Sequence, residues 1–192
     1  MTASVLSTER LVLRGWRESD RTAFHAMNSD PKVMETIGPV MTRAESDAFM
    51  NRIMHHITEH GFGVWCVELD GQPVGYTGFM VPWARDGVEV GWRIRSEQWG
   101  TGIAPEAARE CLRHGFEHLG FDEIISFTAV TNANSRRVMD KIGLRYDPIG
   151  DFDHPSVPEG NPLRPHVLYR LTRDEWRQGD GPGRAGEYRD RP

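Results

Sequence analysis

Val88, Val90, Trp92 and Ile94 alternate with polar or small residues, the two-residue period of a half-buried strand, which predicts a strand over Val88–Arg95. A few residues on, the period changes. Ala104, Ala107, Ala108, Cys111, Leu112, Gly115, Phe116 and Leu119 recur at spacings of three and four, placing them on one face of a helix that ends near Leu119-Gly120. Pro105 and Glu106 suit its first turn, where a missing N–H costs little and a carboxylate meets the positive end of the helix. The same reading gives a strand at Leu11–Trp16 and a short helix at Ser19–Asn28 ending before Asp30-Pro31. A second helix at Arg43–His60 is opened by a Thr42/Glu45 capping box and stopped by Gly61. Two strands, Gly63–Leu69 and Pro73–Met80, are joined by Asp70-Gly71. Beyond the central helix come a strand at Glu123–Val130, a helix at Ser135–Ile142 closed by Gly143, a short strand at Leu144–Tyr146, a strand at His166–Thr172 and a terminal helix at Thr172–Gln178. Pro148–Pro165 is proline-rich without periodicity, a candidate lid loop, and Gly179–Pro192 has the composition of a disordered tail.

The segment Trp99-Gly100-Thr101-Gly102-Ile103-Ala104 therefore falls at a strand-to-helix turn. The first N–H groups of a helix lack intrahelical partners, and glycines let a bulky anion approach the main chain, so this turn is a candidate diphosphate cradle. Two other nucleotide motifs are excluded. Pro105 stands where a dinucleotide fingerprint needs its third glycine, and the Gly-Lys-Ser/Thr of a Walker loop occurs nowhere in the chain.

Composition narrows the picture. The chain's 192 residues suffice for one well-filled core, and no linker separates a second hydrophobic block, so a single domain over 1–178 is expected. Cys66 and Cys111 fall on a strand and on an apolar helix face, reading as small core residues in a reducing compartment. The start of the chain lacks the charged and apolar blocks of a signal peptide, and no run is apolar enough to span a membrane; a cytoplasmic location is expected. A net charge of -5 argues against general nucleic-acid binding; it fits a cationic acceptor and equally fits a role in solubility alone.

With the turn and its flanks on the page, the chain resembles the GNAT superfamily of N-acetyltransferases, and within it the branch of the RimJ and RimL protein N-terminal acetyltransferases. Thr8-Glu9-Arg10-Leu11-Val12-Leu13-Arg14-Gly15-Trp16 with Asp20 is similar to that branch's first strand and turn, and Asn132 through Leu144 to its asparagine-serine-helix-glycine segment. Asp151-Phe152-Asp153-His154-Pro155 with Pro165–Tyr169 is similar to the ending of a bacterial subgroup, so the likeness runs from about residue 8 to 177. The resemblance implies an α/β (α+β) fold in which a mixed, mostly antiparallel sheet, flanked by helices, splays between two central strands. It implies acetyl-CoA as cosubstrate, without metal, with its pantetheine arm along Trp92, Arg93 and Ile94. The diphosphate would meet Trp99, Gly100, Thr101, Gly102, Ile103 and Ala104, and Asn132 would bond the pantetheine or cap its helix. The partner is an amine, a protein N-terminus or a small molecule; monomer and homodimer both stay open.

The implied reaction needs a base for the acceptor ammonium, a donor for the thioester carbonyl and a proton for the leaving thiolate. Glu89 on the central strand is the first candidate base, followed by His154 and Asp153 of the proline-rich loop. Gly91 is a candidate bulge that frees a carbonyl-polarising amide. The superfamily's usual acid, a tyrosine seven residues after the helix-opening asparagine, is replaced here by Met139, which leaves Ser135, a tyrosine such as Tyr169, or water. That replacement motivates a second reading, an acyl-CoA-binding sensor without turnover. His56-Ile57-Thr58-Glu59-His60 matches a zinc-peptidase pattern, but it ends at Gly61 with no third ligand nominated, and no metal is expected.

Overall fold

The computed structural model describes residues 4–82 and 86–179, and the tail expected at 179–192 lies, but for Gly179, outside the described residues. In chain order the elements are β1 (Leu6–Ser7), β2 (Leu11–Arg14), α1 (Arg21–Asn28), α2 (Pro31–Met34), α3 (Arg43–His60), β3 (Val64–Leu69), β4 (Gln72–Met80), β5 (Glu89–Ile94), α4 (Ile103–His114), β6 (Glu123–Ala129), α5 (Ala133–Lys141), β7 (Arg145–Tyr146), β8 (Phe152–Asp153), β9 (Pro165–Thr172) and α6 (Arg173–Arg177). The strands form one nine-stranded sheet in the order β1-β2-β3-β4-β5-β6-β9-β7, with β8 also on β9. Every pairing is antiparallel except that of β5 with β6. This is the mixed, mostly antiparallel sheet flanked by helices that the resemblance implies.

The β5–β6 pair decides the architecture. It is parallel and holds at a single register position, Glu89 opposite Ile125, with the Ile125 N–H donating to the Val88 carbonyl at 2.9 Å. Beyond it the strands part. Because main-chain groups alternate along a strand, Trp92 and Ile94 turn theirs toward the side that Val88 faces, into the opening. On the other edge β5 keeps an unbroken register with β4 from Gly75 opposite Ile94 to Met80 opposite Glu89. The expected bulge at Gly91 is therefore absent: the splay of the strands, not an extra residue, frees the main chain.

Two cores hold the helices to the sheet. Ala107, Ala108, Cys111 and Leu112 of α4 are fully buried against Leu13, Phe79, Val90 and Ile124, as their spacing predicted. Phe24, Met27, Met50 and Ile53 of α1 and α3 cluster with Val64 and Tyr76. Burying one such leucine side chain contributes about 2 kcal/mol. Both cysteines are buried and free, and burial pushes each thiol up to about 12.

Several boundaries differ from expectation for local reasons. The first strand ends at Arg14 rather than Trp16, because the buried Arg14 guanidinium donates to Asp20 at 2.7 and 3.0 Å and to Glu68 at 2.6 Å, turning the chain. The first helix ends at Asn28, before Asp30-Pro31, as expected, but a further short helix opens there: Pro31 takes its first position and the Asp30 carboxylate caps the Lys32 N–H at 2.9 Å. The central helix changes to a π turn over Gly115–Leu119. Gly115 lies so close to the sheet that a Cβ would stand 2.7 Å from Phe79. The proline-rich loop contributes β8, whose Phe152 and Asp153 pair with His166 and Pro165, tying the loop to the sheet.

Candidate active site

The opening between β5 and β6 continues into two adjoining cavities. The first, of about 320 Å³, runs from Trp92 and Ile94 past Trp99, Gly100 and Gly102 to Ile103 and Ala104, with Asn132, Ser135 and Arg137 opposite. The second, of about 260 Å³, lies beyond Trp92 and is lined by Tyr76, Glu89, Gly91, Phe127, Met139, His154 and His166. Trp92, Arg93, Asn132 and Ser135, with Thr36 and Ile37 after α2, line both.

At the glycine turn, Gly100 (φ 80°) and Gly102 (φ 86°) adopt left-handed backbone that favours glycine, and Gly102 occupies the N-cap of α4. The first main-chain bond of the helix is Glu106 N–H to the Gly102 carbonyl at 3.1 Å. The N–H groups of Gly100, Thr101, Gly102, Ile103 and Ala104 have no acceptor among the described residues. No side chain lies within 4 Å of where a Gly100 Cβ would be. Such a cluster of free amides at a helix start fits a diphosphate. Trp99 departs from the expected pattern: its amide donates internally to Ser96 at 3.3 Å, while its indole N–H donates to the Ile94 carbonyl at 2.8 Å. The Thr101 hydroxyl is also turned inward, donating to Gln98 at 2.7 Å. Arg93 sends its guanidinium to the side-chain amide oxygen of Asn28 at 2.6 Å, over the rings of Phe49 and Tyr76.

Glu89 stands in the second cavity with no hydrogen-bond or ion-pair partner among the described residues. Burial raises its carboxyl to about 8. Gly91, on the same face of β5, leaves space beside it: a Cβ there would come no closer than 3.9 Å to the Glu89 carboxylate. His154 and His166 face each other with ring centroids 4.8 Å apart, among Phe127 and Phe152, and burial holds both imidazoles below their ordinary range. The Ser156 N–H donates to His154 Nδ1 at 3.2 Å, while His166 Nδ1 lies 3.0 Å from the Arg164 carbonyl. Asn132 caps α5, its side-chain oxygen accepting from the Ser135 N–H at 3.1 Å, and Met139 is fully buried in the cavity wall.

Three sequence candidates fall outside this constellation. Asp153 pairs with Arg164 at 3.1 Å on the surface. Tyr169 is buried against Tyr146, with centroids 5.4 Å apart, and lines neither cavity. In the zinc-like segment, His56 Nε2 accepts from the Val81 N–H at 3.0 Å and its Nδ1 lies 3.1 Å from the Phe62 carbonyl, so both ring nitrogens serve the fold. Conversely, the sequence reading gave no role to His166, which alternation along β9 and the register opposite Ala129 bring to the cavity. Nor did it assign a function to Arg10, which donates to the Thr101 carbonyl at 3.1 Å and to Glu106 at 2.6 Å.

A parallel strand pair that parts thus carries helix-start amides at one end and a carboxylate at the other, none with a partner among the described residues. The sequence profile of the acetyltransferase (GNAT) domain matches residues 10–145, and the chain belongs to that family of acetyltransferases. It is 32% identical over 186 residues to the FsC-acetyl coenzyme A-N(2)-transacetylase of Aspergillus fumigatus, covering 89% of this chain and 77% of that one. It is 30% identical over 172 residues to the uncharacterized N-acetyltransferase YnaD of Bacillus subtilis, covering 89% and 98%. Among solved structures, a GNAT-family acetyltransferase from Bacillus anthracis superposes with a TM-score of 0.76 at 30% identity, covering 90% of this chain and all of that one.

Proposed function

We propose that the enzyme transfers the acetyl group of acetyl-CoA to a primary amine by direct attack, with Glu89 as general base. The observation that carries this reading is the Glu89 carboxyl, without a partner among the described residues and raised to about 8 in a cavity that adjoins the groove through Trp92 and Ser135. A base tuned to that range accepts the proton of an ammonium at neutral to mildly alkaline pH.

The chain's own residues fit the cosubstrate. Gly100 through Ala104 offer amides to the diphosphate, and Trp92 and Ile94 offer main-chain groups to the pantetheine amides in the manner of an added strand. When bound, acetyl-CoA supplies the activated thioester carbonyl. Glu89 removes the ammonium proton and passes it to solvent; the amine's lone pair then forms the N–C bond as the C–S bond breaks, and Glu89 takes the second proton that the nitrogen sheds. The thiolate leaves with a proton from Ser135, which solvent restores, or from water directly. Ser135 takes this part because Met139, where a tyrosine is usual, has no proton to give. His154 and His166, held neutral, shape the acceptor side with Phe127.

The acceptor amine belongs either to a small molecule or to a protein N-terminus. The N(2)-transacetylase relative supports the former, and the RimJ/RimL-like opening segment supports the latter. The enzyme works as a single domain over residues 1–178 in the cytoplasm.

Incubating the purified protein with acetyl-CoA and a panel of small amines and N-terminal peptides, while following free thiol, tests the proposal. Amine-dependent thiol release that Glu89→Gln abolishes is the expected result. Release from no member of the panel, or release indifferent to that substitution, overturns it.

A further inference from the structure

We infer that Arg10, in the turn between β1 and β2, is a positioning residue for the coenzyme diphosphate: it aims a cradle amide and neutralises a carboxylate that would otherwise repel the phosphates. This rests on the acetyl-CoA reading above. The contacts are specific. Arg10 Nη2 donates to the Thr101 carbonyl at 3.1 Å. Its Nε and Nη2 also hold the same Glu106 oxygen at 2.8 and 2.6 Å. Glu106's other oxygen accepts from the Thr8 hydroxyl at 2.5 Å and from the Arg10 N–H at 3.3 Å. The turn itself is fixed, with Thr8 N–H bonded to the Leu11 carbonyl at 2.9 Å and Leu11 N–H to the Thr8 hydroxyl at 3.0 Å.

Two consequences follow from elementary geometry and charge. In a trans peptide the carbonyl and the following N–H point to opposite sides. Holding the Thr101 carbonyl toward Arg10 therefore turns the Gly102 N–H the other way, into the groove that Gly102 lines. Glu106 lies in the first turn of α4, beside the same helix start that would receive a diphosphate. An unpaired carboxylate there would compete with the phosphates for the positive end of the helix and repel them. Arg10 and Thr8 satisfy both its oxygens and draw it to the β1–β2 side. The surroundings of Arg10 are thus acidic and carbonyl-rich on one side, and on the other the guanidinium lies against Gly102, where a Cβ would stand 3.4 Å from Nη2.

Calorimetric titration of CoA into wild type, Arg10→Ala and Arg10→Ala/Glu106→Gln tests this, with melting temperatures measured in parallel. Arg10→Ala should weaken CoA binding about tenfold, the scale of one lost charge-assisted contact. The double variant should bind CoA more tightly than the single one, because it removes the stranded carboxylate. A purely structural clasp predicts no recovery, since Glu106→Gln keeps an acceptor for Thr8 but restores none of the contacts that Arg10 made. Equal CoA affinity in wild type and Arg10→Ala, or a double variant as weak as the single one or weaker, overturns the inference. Failure of wild type itself to bind CoA would instead remove the cosubstrate reading on which it rests, and the inference with it. If Arg10→Ala melts too low to titrate, Arg10→Lys keeps the charge without the fork. It should show weakened binding, milder than in a charge-removing Arg10→Gln, and equal affinities across wild type, Lys and Gln count against the role.

Discussion

The indole N–H of Trp99 donates to the carbonyl of Ile94 at 2.8 Å, bridging the end of β5 to the glycine turn that begins α4. One side chain thereby fixes the distance between the part of the groove suited to pantetheine and the part suited to diphosphate. It also takes one lone pair of the Ile94 carbonyl, leaving the Ile94 amide, which has no acceptor among the described residues, as that residue's main-chain donor toward the groove. Replacing Trp99 by Phe keeps the apolar wall and removes the bond. KM for acetyl-CoA should rise about fivefold, as for one neutral hydrogen bond, with kcat little changed; steady-state kinetics at saturating amine separates the two.

Glu89 sets the pH profile. A general base must be deprotonated to act, so kcat/KM should climb with pH to about 8 and level off above it, and Glu89→Gln should lose that limb while kcat falls about a hundredfold. The same shift affects stability. Because the folded-state value is raised, the carboxyl's contribution to stability is fully present below the ordinary carboxylate range and is lost as pH rises through about 8. Thermal melts between pH 5 and pH 9 should show wild type losing stability relative to Glu89→Gln across that interval.

Gly102 tests the cradle directly. Gly102→Asp puts a carboxylate where the free amides converge, in backbone with φ 86°, and within reach of Arg10, which it would pull from Glu106. CoA binding should fall by more than about a hundredfold, combining like-charge repulsion with a displaced clasp. Gly102→Ala carries the backbone strain without the charge and should bind distinctly better than the aspartate; equal affinities for the two variants would assign the effect to strain alone.

His56 answers the zinc-like motif in solution. Its Nε2 must be unprotonated to accept from Val81, and burial lowers its pKa in the fold. With a depressed folded-state value, its contribution to stability is present above the ordinary histidine range and is lost as pH falls through it and below. Acid melts should thus show wild type losing more stability between pH 7 and pH 5 than His56→Gln, while elemental analysis of the purified protein should find no stoichiometric metal.

Much of this organisation is legible in the chain because local rules and the tertiary fold agree. Thr42, Glu45 and Gly61 bound α3 at the residues that capping chemistry assigns, and the 3.6-residue stripe of α4 is the stripe that is buried. The errors arise where one residue type has two meanings. Pro31 follows the end of α1, as expected, but also starts α2, which the Asp30 cap secures; Gly91 can mark a bulge or merely leave room, and the regular β4 register decides. The site divides the same way. The glycine turn is a continuous segment and can be read directly, whereas the meeting of His166 with His154, or of Arg10 with Glu106, depends on how distant strands are laid side by side.

The single rung between Glu89 and Ile125 makes the sheet two panels joined by a hinge pin rather than one continuous plate. A coenzyme lying along Trp92 and Ile94 would act as a removable splice, stiffening the junction only while it is in place. Exchange of those two amides with solvent should then slow sharply on loading, so that the protein reports occupancy through the rigidity of its own centre.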